Sequence, residues 1–302
     1  MTPMLFDEAA LSLRAARAAR LWPRGAFLHA RAAEGLAERA ADAARAFPRL
    51  LVHGAAAGLY AHALAGRAGA GETVQIEAAP LAPLAAAGAP GARTLAGTEP
   101  LLAGEGRFDL SVSGLALHRM NDPVGALIQL RRALRPDGFF LGALFGGRSL
   151  HELRAALAEA EIAEEGGLSP RVAPMADVRD LGGLLQRAGF AMPAADVERV
   201  TVDYADPLAL MRDLRAMGEA NALAARRRTP LRRATLARAC ALYAEHFSRP
   251  DGRVTATVEI VYLAGWSPGP DQPTAKRPGS ASARLADALG AVERPAGEKA
   301  GS

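Results

Sequence analysis

Across the first 47 residues, apolar positions recur at helical spacing among Ala, Leu, Arg and Glu, which predicts helix over 7–47. Trp22-Pro-Arg-Gly25 interrupts this pattern and divides it into two helices. From Leu50 the period changes. Leu50–Val52 is a short apolar run that reads as a buried strand, and helical spacing resumes over Leu59–Leu64 after a loop of small residues. Thr73–Glu77 and Phe108–Ser113 read as two more strands, with an Ala/Pro/Leu-rich short helix after Glu77. Asp122–Leu134 reads as a helix: Asp122 can cap it, Pro123 suits its first turn, and Leu127, Leu130 and Leu134 share a face. Arg135-Pro-Asp-Gly138 predicts a turn, and Phe139–Phe145 an apolar strand.

Strands alternating with helices imply βαβ units and a parallel sheet covered on both faces, a Rossmann-like α/β fold. In such a sheet ligands bind beyond the C-terminal strand ends, here the loops at Gly54–Gly58, Glu77 and Ser113–His118. From Ser149 the character changes. Helices are predicted over Leu150–Glu165, Val178–Ala188, Pro207–Gly218 and Leu231–Phe247, and strands over Val197–Tyr204 and Thr255–Gly265. The pattern therefore divides into a helical N-terminal extension (1–47), a core (48–148) and an α+β lid or substrate region completing the fold (149–266). A flexible tail (267–302) follows, Pro/Gly/Ser-rich at its start.

Half of the 302 residues are hydrophobic, enough for a sizeable core. Alanine accounts for 71 of them, and Lys276 and Lys299 are the only lysines, so the basic side is almost all arginine. The net charge is only +4, and acidic residues punctuate most of the chain, so no nucleic-acid partner is expected. Arg226-Arg-Arg228, with Arg232 and Arg233, reads as a solvated helix end or as a docking patch for an acidic partner. A lone Cys240 excludes an internal disulfide and reads as a small core residue. No run of about 18 apolar residues occurs and no secretory pattern opens the chain, so a cytoplasmic location is expected.

Candidate chemistry starts in the loop after the first strand. Gly54 and Gly58 let a backbone approach a ligand, and Glu77, about 20 residues on, is placed to accept hydrogen bonds from two ribose hydroxyls. Together with Ser113 they form the candidate cofactor-binding set. Val52 stands where an acid is expected and Ala56 where a middle glycine is expected. His118 falls at the mouth of the same strand ends, as a candidate base or orienting group. His53 and His62 flank the loop, but no compact His-x-Asp/Glu arrangement supports an iron triad, and no metal is expected.

Phe108-Asp-Leu-Ser-Val-Ser-Gly-Leu-Ala-Leu-His-Arg-Met-Asn-Asp122 and Leu134-Arg-Pro-Asp-Gly-Phe-Phe-Leu141 resemble the class I methyltransferases that use S-adenosylmethionine. More specific are Phe145-Gly-Gly-Arg-Ser-Leu-His-Glu-Leu-Arg154, Glu165-Gly-Gly-Leu-Ser-Pro-Arg-Val-Ala-Pro174, Asp180-Leu-Gly-Gly-Leu-Leu-Gln-Arg-Ala-Gly-Phe190 and Leu210-Met-Arg-Asp-Leu-Arg-Ala-Met-Gly-Glu219. With Asn221 and Glu259-Ile-Val-Tyr-Leu-Ala-Gly-Trp266, these resemble the complex I assembly factor 5 type and its alphaproteobacterial relatives over nearly the whole chain. The resemblance implies a methyltransferase-like fold with S-adenosylmethionine as cofactor. It implies a protein substrate, a respiratory complex I subunit, modified by methylation or arginine hydroxylation, and membrane association only through that partner. Bacterial relatives are also compared with a carrier-protein methyltransferase, and a chaperone that has lost its cofactor is the non-catalytic alternative. Two departures stand out: Val52 and Ala56 replace the family's acid and middle glycine, and Arg119 replaces the usual tryptophan after the histidine. Within the family-like second half, Arg171, Arg179, Asp180 and Glu219 are candidates for substrate recognition.

Overall fold

The computed structural model describes residues 4–54, 56–67, 69, 71–78, 93–97, 104–270, 272, 287 and 290. The helical start is three helices rather than two: α1 (Glu8–Ala19), α2 (Trp22–Gly25) and α3 (Phe27–Asp42). Asp7 caps α1 by accepting from the Ala10 N–H. The expected break is itself a turn of helix. Gly25 lies so close to another backbone that a Cβ there would sit 2.5 Å from the Ala216 carbonyl carbon.

Strand β1 (Arg49–His53) leads through the small-residue loop to α4 (Leu59–Arg67), and β2 (Glu72–Ala78) follows. Strand β3 (Arg93–Gly97) was not legible in the pattern, and the short helix expected after Glu77 lies outside the described residues. Then come β4 (Phe108–Gly114), α5 (Pro123–Ala133), β5 (Leu134–Gly146), α6 (His151–Glu165), α7 (Val178–Arg187), β6 (Ala191–Tyr204), α8 (Pro207–Met217), α9 (Arg233–Phe247) and β7 (Val254–Trp266).

The strands form one sheet in the order β3-β2-β1-β4-β5-β7-β6, parallel through β5, with β7 antiparallel to both its neighbours. Strand β4 is buried along its whole length because both its faces are covered, so it reads as an apolar run rather than an alternation. On one face Leu50, Val52, Leu110 and Val112 pack against Leu36, Tyr60 and Leu64 of α3 and α4. On the other, Leu51, Ile76 and Phe140 meet Leu127 and Leu130 of α5 and Leu181 and Leu185 of α7. At about 1.5–3 kcal/mol for each buried aliphatic side chain, these two layers hold the strand ends in place.

Two boundaries differ from the expectation. The turn at Arg135–Gly138 is an excursion inside β5: Leu134 already pairs with Phe108, and pairing resumes at Leu110 with Phe139. Asp137 takes a left-handed φ of +59° there and is held by Arg45. Likewise β6 starts at Ala191, six residues early, because Pro193 and a left-handed Met192 interrupt its alternation with an irregularity. At its C-terminal end β7 is anchored by Trp266, stacked on Phe139 at 4.4 Å.

Arg226–Arg228 lies in a non-helical segment and pairs within the chain, with Arg228 still largely exposed, while Arg232 and Arg233 stand at the start of α9. Arg226 pairs with Asp7 at 2.9 Å, Arg227 with Glu165, and Arg228 with Asp7 at 3.7 Å. Cys240 is half-buried on α9. Met1–Pro268 make up one compact unit and Gly269–Ser302 a second. Most of the tail expected over 267–302 therefore lies outside the described residues. Among the described residues no helix is long and apolar enough to cross a membrane.

Candidate functional site

The loop after β1 is shaped by its glycines. Gly54 has φ +75° and Gly58 φ +74°, both left-handed. A Cβ on Gly54 would lie 2.5 Å from the Gly114 carbonyl oxygen, so the first glycine is required by the close approach of the β4 end. Ala56 also takes positive φ, +32°, and its methyl is buried. Val52 is fully buried in the apolar layer and places no carboxylate under the loop. Glu77 lies at the C-terminal end of β2, one residue beyond Ile76, which is aligned with His53. As a test of the nucleoside cofactor the fold implies, the backbone fits: two left-handed glycines and an acid at the adjoining strand end. Val52 and Ala56 withhold the first-strand carboxylate and the open middle position.

Ser113 is not free toward the loop. It is hydrogen-bonded to His53 Nδ1 at 2.9 Å, with both side chains buried. Burial, reinforced by the Arg119 charge, holds the His53 pKa down to about 4. Behind β4 the Tyr60 ring rests on Gly114, where a Cβ would be 2.3 Å from the ring, and the Tyr60 hydroxyl is 2.9 Å from His29 Nδ1. His29 is pushed down to about 3, again by burial first and Arg119 second.

A second site opens where β4 and β5 end. A short 3₁₀ turn, Leu117–Arg119, carries His118, whose ring packs on Phe145 of β5 at 4.9 Å. On the far side α8 ends at Gly218, whose φ of +83° turns the chain back and brings Glu219 inward. Glu219 then meets the turn. His118 Nε2 is 3.2 Å from Oε2, and Arg119 Nη1 is 3.4 Å from Oε1. All three side chains are at most 10% exposed. Burial opposes ionisation of Glu219, but Arg119 and His118 outweigh it and hold its pKa down to about 2.

These residues line a cavity of about 230 Å³. Its walls are mostly apolar, with Leu28, Phe145, Leu150, Met211 and Leu214 among them, and Phe6 and Leu11 lining it from the N-terminal segment. Arg171 also faces it while pairing with Glu161 at 2.6 Å. Several buried polar atoms here have no hydrogen-bond partner: His118 Nδ1, Arg119 Nε and Nη1, Glu219 Oε1 and Arg171 Nε. Buried polar groups are normally satisfied, so such a cluster in one cavity marks where a ligand's polar atoms fit.

Of the residues singled out from sequence, His118, Arg171 and Glu219 are thus brought together. Gly54 and Gly58 belong to the adjoining loop and Ser113 to the end of β4, and none of them is part of this cavity lining. Asp180 does not join either group. It is exposed in the first turn of α7, beside the equally exposed Arg179, because the apolar face of that helix turns Leu181 and Leu185 inward instead. Sequence reasoning passed over Arg119 as a cavity residue, noting it only as a departure from tryptophan. Its position next to His118 was the available signal.

Residues 51–142 match the family model described as a methyltransferase domain. The chain is 39% identical over 254 residues to the rat (Rattus norvegicus) protein named arginine-hydroxylase NDUFAF5, mitochondrial, covering 83% of this chain and 74% of that one. The human (Homo sapiens) protein of the same name is 42% identical over 212 residues, 70% of this chain and 61% of its own length. For the zebrafish (Danio rerio) protein the figures are 45% over 183 residues, 61% and 57%, so the match spans under two thirds of some relatives. A malonyl-[acyl-carrier protein] O-methyltransferase of Halorhodospira halophila is 43% identical over 162 residues, 54% of this chain and 53% of that one. Among solved structures, the YcgJ protein of Bacillus subtilis aligns with a TM-score of 0.50 at 16% identity, over 76% of this chain and 99% of that one, a likeness of fold.

Proposed function

The chain belongs to the arginine-hydroxylase NDUFAF5 family, and on that footing we propose that it is a methyltransferase-fold enzyme modifying an arginine of a respiratory complex I subunit during assembly. One observation carries the reading: an ionised, buried Glu219 carboxylate with one oxygen unbonded, facing an apolar cavity. Arginine has a long aliphatic stem and a planar cationic head that pairs with carboxylates. Leu28, Phe145 and Leu150 suit the stem, and Glu219 Oε1 suits the head. His118 holds the other carboxylate oxygen and so fixes the plane in which a guanidinium would be received. Phe6 and Leu11 add apolar wall to the same cavity from the N-terminal segment.

Gly54, Gly58 and Glu77 would hold S-adenosylmethionine, which when bound supplies an activated methyl group. The described residues then act by positioning: they bind the arginine, orient it and exclude water. Hydroxylation, the activity in the relatives' name, asks the same of them. We place the work in the cytoplasm, with contact to the membrane only through the assembling complex; the relatives named above are mitochondrial.

Mass spectrometry of complex I subunits from cells with and without the gene tests this. The expected result is an arginine that is lighter by one oxygen, or by one CH2 unit, when the gene is deleted. Assembly that fails with every arginine mass unchanged would overturn the enzyme reading in favour of a non-catalytic chaperone. A second reading has an observation of its own. The unbonded donors of Arg119 and Arg171 could receive a carboxylate, the group methylated by the O-methyltransferase relative. Methyl transfer to a purified malonyl carrier protein would favour it.

A further inference from the structure

Apart from Arg215, which is exposed, the Arg and Glu side chains lining the cavity are paired before anything enters. Glu219 carries one negative charge and Arg119 one positive, 3.4 Å apart. Arg171 is balanced by Glu161, and His29 is kept neutral by burial. The Glu219–Arg119 pair is nevertheless unfinished. It makes an ion contact with no hydrogen bond across it, leaving Glu219 Oε1 and Arg119 Nε and Nη1 all unsatisfied, while Arg119 Nη2 donates to the Leu115 carbonyl at 3.2 Å.

A bare guanidinium entering here would set two guanidinium groups against one carboxylate in a water-poor space. Uncompensated buried charge is strongly disfavoured. A ligand that brings its own oxyanion removes the conflict. Its guanidinium donates to Glu219 Oε1, its carboxylate accepts from Arg119 Nε, and the four charges alternate.

We propose that the cavity recognises an arginine side chain together with a carboxylate carried on the same peptide, Glu219 reading the guanidinium and Arg119 the carboxylate. This rests on the arginine-substrate reading above and adds to it a sequence preference: the target arginine has an acidic neighbour. Arg119 is then a specificity residue, placed where the family resemblance leads one to expect tryptophan.

Calorimetric titration with two blocked peptides, identical except for Glu or Gln beside a single arginine, tests it. Wild-type protein is expected to bind the Arg–Glu peptide about tenfold or more tighter than Arg–Gln. Arg119→Gln should abolish or invert that preference, because the balance then favours a bare cation, and Glu219→Gln should lose both peptides. Equal binding of the two by the wild type, or a preference for Arg–Gln, overturns the inference while leaving the arginine reading intact. Binding of neither peptide by folded wild type overturns the arginine reading and the inference with it. If Arg119→Gln fails to fold, the wild-type comparison still decides, and Arg119→Lys, which keeps the charge but has no Nε–H, should show a weakened preference.

Discussion

His118 Nε2 lies 3.2 Å from the Glu219 carboxylate, across 101 residues of sequence, and ties the end of β4 to the end of α8. With Arg119 it holds the Glu219 pKa at about 2 against an ordinary 4.5. A lowered carboxylate pKa contributes stability that is fully present above 4.5 and lost as pH falls from 4.5 toward 2. Glu219→Gln should therefore flatten stability against pH in that window, measured by urea midpoints. At neutral pH it should cost about 3–5 kcal/mol, since Arg119 is left buried without a counter-ion. Parallel pH curves for variant and wild type would show that Glu219 is not the group responsible.

His53 is held to about 4, below its ordinary 6.5, by burial and by Arg119. Its neutral form is the folded form, so the stability it contributes is present above pH 6.5 and lost as pH falls from 6.5 to 4. His53→Asn should reduce the loss of stability across that range, at the expense of stability at pH 7 through the bond to Ser113. Thermal melts at a series of pH values check this; an unchanged slope between 6.5 and 4 counts against it.

Gly114 and Tyr60 are matched surfaces: a methyl on Gly114 would lie 2.3 Å from the Tyr60 ring. Gly114→Ala should cost about 1–3 kcal/mol by overpacking. Tyr60→Leu should also destabilise on its own, through the cavity it leaves and the lost bond to His29. In the double variant the two costs should add to less than their sum, because the smaller side chain makes room for the methyl. Strict additivity in a double-mutant cycle would mean that the loop backbone, not the ring, absorbs the added methyl.

Val52 and Ala56 separate two ways a cofactor loop can be remodelled. Val52→Asp puts a carboxylate into a fully buried apolar layer and should cost about 3–5 kcal/mol. Ala56→Gly exchanges relief of a left-handed φ for a lost buried methyl, so stability should move by less than about 1 kcal/mol. S-adenosylmethionine titrations then discriminate: Ala56→Gly should bind more tightly than wild type. Tolerance of Val52→Asp without loss of stability would show that the loop still holds a donor for the missing acid.

Much of the architecture was legible because it is local. The apolar runs at Leu50–Val52 and Phe139–Phe145 and the Asp122-Pro123 helix start each carry their signal within a few residues. The missed features are not local. Nothing near Leu134 announces that it pairs with Phe108 before the Arg135–Gly138 excursion, and Pro193 hides the start of β6 by breaking its alternation. His118, Arg171 and Glu219 were named from sequence, but their meeting depends on Gly218 turning the α8 terminus back across the end of β5. Arg119 escaped because charge next to a loop histidine has no periodicity. Asp180 misled because a family-like segment was read without the helix face that turns it outward.

The N-terminal segment lines one wall of the cavity through Phe6 and Leu11. Phe6 N–H donates to Asn121 Oδ1 at 2.8 Å, and Asn121 Nδ2 donates back to the Phe6 carbonyl at 3.3 Å. On its other side Asp7 N–H donates to the Ala222 carbonyl and Ala224 N–H to the Leu5 carbonyl, each at 2.9 Å. Asn121→Ala removes both side-chain bonds and should cost about 1–2 kcal/mol, concentrated in this strap because the sheet does not depend on Asn121. Amide exchange at Phe6 and proteolysis of the first residues should quicken more than global unfolding does. Asn121→Asp keeps the acceptor for Phe6 N–H and loses the donor, so it should lie between the two. If Phe6 exchanges no faster in Asn121→Ala than in wild type, the bridge to Leu223, the Asp7–Arg226 pair and the packing of Phe6 carry the strap, and the cavity wall is part of the rigid fold.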